Sequence, residues 1–160
     1  MASSSSKAKP VPLALLESPG EFRRRTWVQM ARTFTRMQRK VVVMLAKHNL
    51  TLPQFDVLAT LRFSEGVTQQ DLAARLLVTK GNVCGVLDRL EATGWVQRKP
   101  DAEDGRTNRL HLTVTGKRKI DGVLPKHDAM LESTLQVLSD AEVKALRKAL
   151  EQLDGSPGED

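Results

Sequence analysis

Apolar residues recur every three or four positions along most of the chain, and this spacing predicts a mainly α-helical fold. The longest such pattern covers residues 21–48 and extends over about seven helical turns. A single helix cannot cover its own apolar stripe, so the pattern predicts at least one partner helix. The apolar positions of this stripe are Trp27, Ala31, Phe34, Met37, Val41, Met44 and Leu45.

Three shorter helical patterns follow, and a threonine stands at the start of each. A threonine in this position accepts a hydrogen bond from a backbone N–H group of the first helical turn. A Gln or Asp three residues after the first two threonines completes a capping box. The third pattern ends at Gly94, a residue type that favours the left-handed conformation found after helix ends. The three threonines are Thr51, Thr68 and Thr79.

The segment after Gly94 predicts a β-hairpin. The runs "WVQRKP" and "TNRLHLT" contain the apolar residues of short strands, and "DAEDGR" between them has the acidic residues and glycine of a turn. Because only Gly94 separates the third short helix from the first strand, the hairpin is expected to stand beside that helix.

Further helices are predicted after the hairpin. Residues 114–136 have helical spacing, but Pro125 removes a backbone donor and should kink this helix or split it in two. Ser139 and Glu142 form a capping box at the start of a last helix, which continues to Gly155. The predicted fold class is therefore mainly α with a small β-hairpin.

The two ends of the chain contain little that a core can bury. Residues 1–20 are rich in serine, proline and lysine and predict a flexible N-terminal arm, and residues 154–160 predict a tail. Between them we predict a single domain over residues 21–155, because 160 residues suit one core. Residues 49–114 form its central part, which contains the short helices and the hairpin. Residues 21–48 and residues 115–153 form the two flanking helical parts.

Composition and charge narrow the function only slightly. The net charge is +6, and residues 21–47 carry eight basic residues and one acidic residue, whereas residues 48–114 carry eight of each. A basic chain suits a polyanionic partner, but a solvated surface explains the charge equally well. The single cysteine, Cys84, excludes an internal disulfide and suits a reducing cytoplasm. No apolar run reaches the ~20 residues of a membrane span, so no membrane partner is expected.

The helix after Thr79 carries the main candidate chemistry. Its apolar residues Val83, Val86, Leu87 and Leu90 share one face, while the other face has small and polar residues. An α-helix fits the DNA major groove, where Asn can pair with adenine and Lys can reach guanine or phosphate. The candidate contacts on this helix are Thr79, Lys80, Gly81, Asn82, Gly85 and Arg89.

Two neighbouring segments extend the same hypothesis. Gln69 lies at the start of the preceding helix, where backbone N–H groups favour a phosphate. Arg106 follows Asp104 at the hairpin tip, and a tip arginine suits the negative potential of a minor groove. Helices followed by such a hairpin form a winged helix–turn–helix. An alternative for Arg106 is a simple surface ion pair with Asp104.

These segments resemble the MarR family of transcriptional regulators over about residues 21–153. The most specific part is "LDRLEATGWVQR", followed by "DGR" and "LHLTVTG". The resemblance implies a homodimer in which the first, fifth and sixth helices interlock. It also implies that the dimer binds double-stranded DNA at a pseudo-palindromic operator and that a small phenolic or anionic ligand releases it. It places Lys80, Gly81 and Asn82 on recognition-helix positions, Arg106 on the wing-tip arginine and Asp104 on the acid that supports it.

The resemblance also implies a ligand cleft between the long helix and the winged unit. The residues expected to line it are Arg23, Trp27, His48, Phe55 and Arg62. Neither a cofactor nor a metal is expected, because the three histidines are too far apart for a recognisable metal spacing. An enzyme is not expected either, because the sequence shows no nucleophile–base pair, phosphate loop or carboxylate pair.

Two function classes remain open at this stage. The first is a sequence-specific transcriptional regulator, a homodimeric repressor that a ligand releases from DNA. The second is a dimeric effector- or partner-binding module with little DNA specificity, which Gly81 and Gly85 favour because they leave the helix few side chains. Cys84 is interpreted as an inert thiol, with redox sensing as the alternative, since only Lys80 stands nearby to lower its pKa.

Overall fold

Residues 21–155, which the computed structural model describes, form seven helices and three short strands. The predicted flexible arm over residues 1–20 and most of the predicted tail lie outside the described residues. The helices are α1 (Glu21–Ala46), α2 (Leu52–Phe63), α3 (Gln69–Arg75), α4 (Lys80–Ala92), α5 (Val114–Asp121), α6 (Leu124–Leu135) and α7 (Asp140–Asp154). The strands are β1 (Val67–Thr68), β2 (Val96–Pro100) and β3 (Asn108–Leu112).

The chain divides into two units, residues 1–40 and residues 41–160. The described part of the first unit is the helical segment 21–40 of α1. Threonine hydroxyls in this segment bond to carbonyl oxygens one turn earlier, and Arg25 forms an ion pair with Glu21. Trp27 and Phe34, two members of the predicted stripe, have exposed side chains in the single chain.

The second unit contains a hydrophobic core to which the end of α1 and the helices α2 and α4 contribute. Leu45 at the end of α1 and Leu58 and Leu61 on α2 are fully buried, and so are Leu87 and Leu90 on α4. Burying each such side chain stabilises the fold by about 1.5–3 kcal/mol relative to leaving it exposed. The apolar face that the sequence predicted for α4 is therefore the face that packs on the core.

The predicted helix starts are confirmed. Thr51, Thr68 and Ser139 each form a capping box with the residue three positions later, and the Thr79 hydroxyl accepts the backbone N–H of Asn82 at 3.3 Å. The helix ends also follow the expectation. Gly94 after α4 has φ 71° and Gly155 after α7 has φ 70°, a left-handed conformation that costs glycine little.

The three strands form one antiparallel sheet in the order β1–β3–β2. The hairpin of β2 and β3 was predicted. In the structure, Val96 lies opposite Leu112 and Pro100 lies opposite Asn108. Strand β1 was not predicted, because two residues are too few to show an alternating pattern. We call β2, β3 and residues 101–107 between them the wing.

The proline in the C-terminal pattern splits the predicted helix instead of kinking it. Helix α5 ends at Asp121, Gly122 and Val123 follow, and Pro125 is the second residue of α6. The first turn of a helix tolerates proline because its N–H groups have no partner inside the helix.

The junction between the wing and α5 depends on an unusually close backbone approach. The hydroxyls of Thr113 and Thr115 donate to the carbonyl oxygen of Gly94 at 2.6 and 2.8 Å. A Cβ atom placed on Gly116 would lie 1.9 Å from the carbonyl oxygen of Trp95. The "TVTG" segment of the sequence thus has a physical role, because two hydroxyls and a glycine let α5 start directly against Gly94 and Trp95, which connect α4 to β2.

Candidate nucleic-acid interface

Helix α4 presents one buried and one open face. Val83, Leu87 and Leu90 are buried in the core. Opposite to this face lie Gly81, Gly85 and Asp88, with Asn82 and Arg89 beside them and Lys80 in the first turn, and all six are exposed. The candidate contacts that the sequence placed on this helix are therefore accessible to a partner.

The two glycines of α4 leave its backbone open to a partner. A Cβ atom on Gly81 would meet nothing within 4 Å, and one on Gly85 would meet only the end of the Arg89 side chain at 3.9 Å. Neither glycine is therefore required by packing inside the chain. A partner can approach the α4 backbone closely here, as the floor or wall of a DNA groove would.

Two of the predicted contact residues bond within the protein. Arg89 Nε donates to the carbonyl oxygen of Gly85 at 2.8 Å, so this side chain lies back along α4. The Gln69 side-chain amide donates to the carbonyl oxygen of Lys80 at 3.4 Å and so links the start of α3 to the start of α4. In this conformation both side chains donate hydrogen bonds to carbonyl oxygens of α4.

The tip of the wing is shaped by Asp104. One carboxylate oxygen accepts the backbone N–H of Arg106 at 3.0 Å, and the other accepts the hydroxyl of Thr107 at 3.0 Å. Asp104 therefore contacts the main chain of Arg106, and the Arg106 side chain is exposed. This arrangement favours the supporting role of Asp104 over a surface ion pair between the two side chains.

A second carboxylate orders the base of the same turn and was not predicted. Asp101 accepts the backbone N–H groups of Glu103 and Asp104 at 2.7 and 3.1 Å and forms an ion pair with Arg109. The hydrogen bond from Glu103, followed by that from Arg109, lowers the pKa of Asp101 to about 2. Arg109 also donates to the carbonyl oxygen of Gly66 at 3.2 Å, just before β1.

The residues predicted to line a ligand cleft lie in both units. Arg23 and Trp27 are in the first unit and are exposed. In the second unit, Arg62 Nε lies 2.6 Å from Asp121 Oδ1. Phe55 is buried in the core, and its ring centroid is 4.8 Å from that of His127.

His48, the remaining candidate of that set, lies in a positively charged environment. Its carbonyl oxygen accepts Lys119 Nζ at 2.6 Å. Burial and the nearby charges of Lys126, Lys119 and Lys47 lower the pKa of His48. An anion would be attracted to this region, so His48 stays a candidate ligand contact.

The described part of the chain, residues 21–155, shows neither a metal site nor a membrane span. No group of three or more His, Cys, Asp or Glu side chains in this range is placed to hold a metal ion. No helix within the same range is long and apolar enough to cross a membrane.

The three helices α2, α3 and α4 followed by the wing define the class of winged helix–turn–helix DNA-binding proteins. A family model described as the MarR family matches residues 48–107. An uncharacterized HTH-type transcriptional regulator of Bacillus anthracis is 32% identical over 121 residues, which cover 75% of this chain and 80% of the relative. The chain belongs to the MarR family of transcriptional regulators.

Solved structures share the same fold. Staphylococcus aureus MepR, in a complex with DNA, has a TM-score of 0.73 and 25% identity and covers 79% of this chain and 95% of its own. CouR from Rhodococcus jostii RHA1, bound to p-coumaroyl-CoA, has a TM-score of 0.75 and 24% identity and covers 84% of this chain and 95% of its own. The second likeness shows the fold alone.

Proposed function

We propose that this regulator is a homodimeric repressor that binds a pseudo-palindromic DNA operator and is released by a small phenolic or anionic ligand. The observation that supports DNA recognition best is the open polar face of α4, where Gly81 and Gly85 have no packing role. Family membership and the described complex of MepR with DNA support the same proposal.

In this proposal α4 enters the major groove with its N-terminal end foremost. Asn82 pairs with a base edge, and Lys80 reaches guanine or a phosphate. The Thr79 hydroxyl caps α4 and so holds the backbone of Asn82 in place. The wing extends Arg106 toward the neighbouring minor groove, while Asp104 and Asp101 keep the turn in shape.

The apolar surface of the single chain supports a dimer. On α7, Leu146 and Leu150 are 44% exposed and Leu153 is 72% exposed. Their spacing of three to four residues makes one continuous stripe, and water-exposed stripes of this kind mark protein interfaces. A symmetric pair would also double the net charge of +6 and so increase its attraction to DNA.

The dimer is expected to persist at micromolar protein concentration. Sedimentation equilibrium should therefore give twice the 17.8 kDa mass of one chain. Leu150→Asp should shift the equilibrium toward monomer, because it places a charge in the proposed apolar interface. A folded, stable monomer of the unaltered chain at that concentration would exclude the dimer.

Replacing the wing-tip arginine is expected to change the salt dependence of DNA binding. Arg106→Ala should weaken binding to all duplexes and lower the slope of log K against log salt by about one, since one phosphate contact releases about one counterion. The measurement is fluorescence anisotropy with a mixed-sequence duplex of about 30 base pairs, three helical turns, across a salt series. Arg118→Ala, an exposed arginine on α5, is the control for the loss of one charge. An equal slope change in both variants would remove the special role of Arg106.

The ligand proposal needs a separate test. The three lysines near His48 favour an anion, and a family relationship favours release from DNA on binding. Phenolic carboxylates should therefore displace a bound duplex, whereas neutral phenols of the same size should do so less. If no member of such a set alters either DNA binding or the unfolding temperature, this part of the proposal is lost.

A second function is favoured by one observation. The glycines of α4 leave few side chains for base contacts, and Arg89 and Gln69 already donate hydrogen bonds to carbonyl oxygens of this helix. A dimeric effector- or partner-binding module with little DNA specificity would have such a surface. Equal, weak affinity for every duplex in a random-sequence pool would support this alternative.

A further inference from the structure

Arg98 on β2 connects the wing to the open face of α4. Its Nη2 atom lies 2.7 Å from Asp88 Oδ1, and its Nη1 atom forms a short ion pair with Glu91. The backbone N–H of Arg98 also donates to the other carboxylate oxygen of Glu91 at 3.1 Å. One wing residue thus makes three polar contacts with two consecutive turns of α4.

The two carboxylates are in an unfavourable place for a DNA-binding protein. Asp88 follows Gly81 and Gly85 along the same exposed face of α4, and its side chain is 61% exposed. Glu91 lies about one turn further on and is also exposed. Negative charges beside a DNA backbone repel its phosphates, and this repulsion weakens binding at every sequence.

We propose that Arg98 is a positioning residue for DNA binding, which neutralises Asp88 and Glu91 on the open face of α4 and holds the wing against that helix. The inference rests on the proposed DNA-binding function. It assigns Arg98 no direct contact with DNA, because its guanidinium faces two carboxylates of its own chain.

The chemistry of the side chain explains why arginine occupies this position. Its planar group has five N–H donors and can bond two carboxylates at once, whereas lysine carries a compact charge with one bonding centre. Residues 93–95 connect α4 to β2. The contacts of Arg98 join the two elements a second time, beyond this connection.

The experiment uses the full chain and two probes of equal length: a duplex selected from a random pool by the unaltered protein, and a mixed-sequence duplex. Arg98→Met is compared with Arg98→Lys, and each is combined with the pair Asp88→Asn and Glu91→Gln. Arg109→Met, which removes another arginine of the wing, is the matched control, because its ion-pair partner Asp101 belongs to the wing and not to α4. Thermal unfolding is recorded for each variant.

Arg98→Met should weaken both probes about tenfold or more, and Arg98→Lys should weaken them less. Removing the two carboxylates should strengthen binding much more when Arg98 is absent than when it is present. It should recover only part of the loss caused by Arg98→Met, because the triple variant still lacks the contacts that hold the wing against α4. The same removal should leave the loss caused by Arg109→Met unchanged, since a general weakening of the wing does not involve these acids.

Two other outcomes are distinguishable. If removal of the carboxylates strengthens binding equally with and without Arg98, the inference is overturned and Arg98 acts directly on DNA or only on folding. If the unaltered protein binds neither probe in a salt-dependent manner, the proposed function fails and the inference fails with it.

Discussion

Gly116→Ala is expected to destabilise the protein by about 3 kcal/mol or more, because the added methyl group has no space. Its Cβ would lie 1.9 Å from the carbonyl oxygen of Trp95, and the next nearest atoms are also backbone. Because no flexible side chain is available to move away, the start of α5 must separate from the backbone of Trp95. Urea unfolding followed by circular dichroism measures the change.

Gly81→Ala is the matched control for that experiment. Gly81 is also a glycine near the start of a helix, but a Cβ there meets nothing within 4 Å. Alanine is the better helix former by roughly 0.5–1 kcal/mol, so this variant should be as stable as the original or slightly more stable. Equal stabilities for the two variants would show that the close approach at Gly116 is not present in solution.

Leu87→Ala is expected to cost about 2–5 kcal/mol of stability, the range for removing a large side chain from a packed core. Leu87 is 0% exposed and holds the buried face of α4 against the core. The same variant should weaken DNA binding through loss of folded protein, and this loss should disappear at temperatures where the variant remains folded.

The control for this prediction is Leu77→Ala. Leu77 is 91% exposed in the turn before α4, so its truncation should change the free energy of unfolding by less than about 0.5 kcal/mol. A similarly small change for Leu87→Ala would mean that the buried and open faces of α4 have been exchanged. The candidate DNA contacts would then point into the core.

Local signals explain why the helices were predictable from the sequence. A threonine or serine cap, its partner three residues later and the period of apolar residues all lie within one or two turns, and the structure confirms them at Thr51, Thr68, Thr79 and Ser139. Pro125 was predicted to interrupt its helix, and the sequence left open whether it would kink or split.

Most features that the sequence did not predict are made by residues far apart in the chain. Strand β1 has only two residues and exists because Val67 pairs with Leu110 of β3. Likewise, the ion pair of Arg98 with Asp88 and the bond of Arg109 to the carbonyl oxygen before β1 join segments that no local pattern connects. The ion pair with Arg98 shows that the exposed carboxylate of Asp88 is already paired.

For the candidate DNA contacts too, the sequence predicted the local feature and did not predict the hydrogen bonds. The exposed position of the candidates on α4 followed from helical periodicity alone. The inward bonds of Arg89 and Gln69 did not, because a side chain of either type can turn to solvent or back to a carbonyl oxygen with little difference in energy. Sequence periodicity therefore predicts a surface, and the structure shows which side chains on it are already engaged.

The central claim is that α4 recognises DNA sequence, and Asn82→Ala tests it most directly. Only the backbone N–H of Asn82 contributes to the cap with Thr79, so the substitution leaves that hydrogen bond in place. The measurement is affinity for the selected duplex and for the mixed-sequence duplex at one salt concentration. We expect a loss of about 1–3 kcal/mol on the selected duplex and little change on the mixed one. Equal losses on both duplexes, or none on either, would contradict sequence recognition by α4.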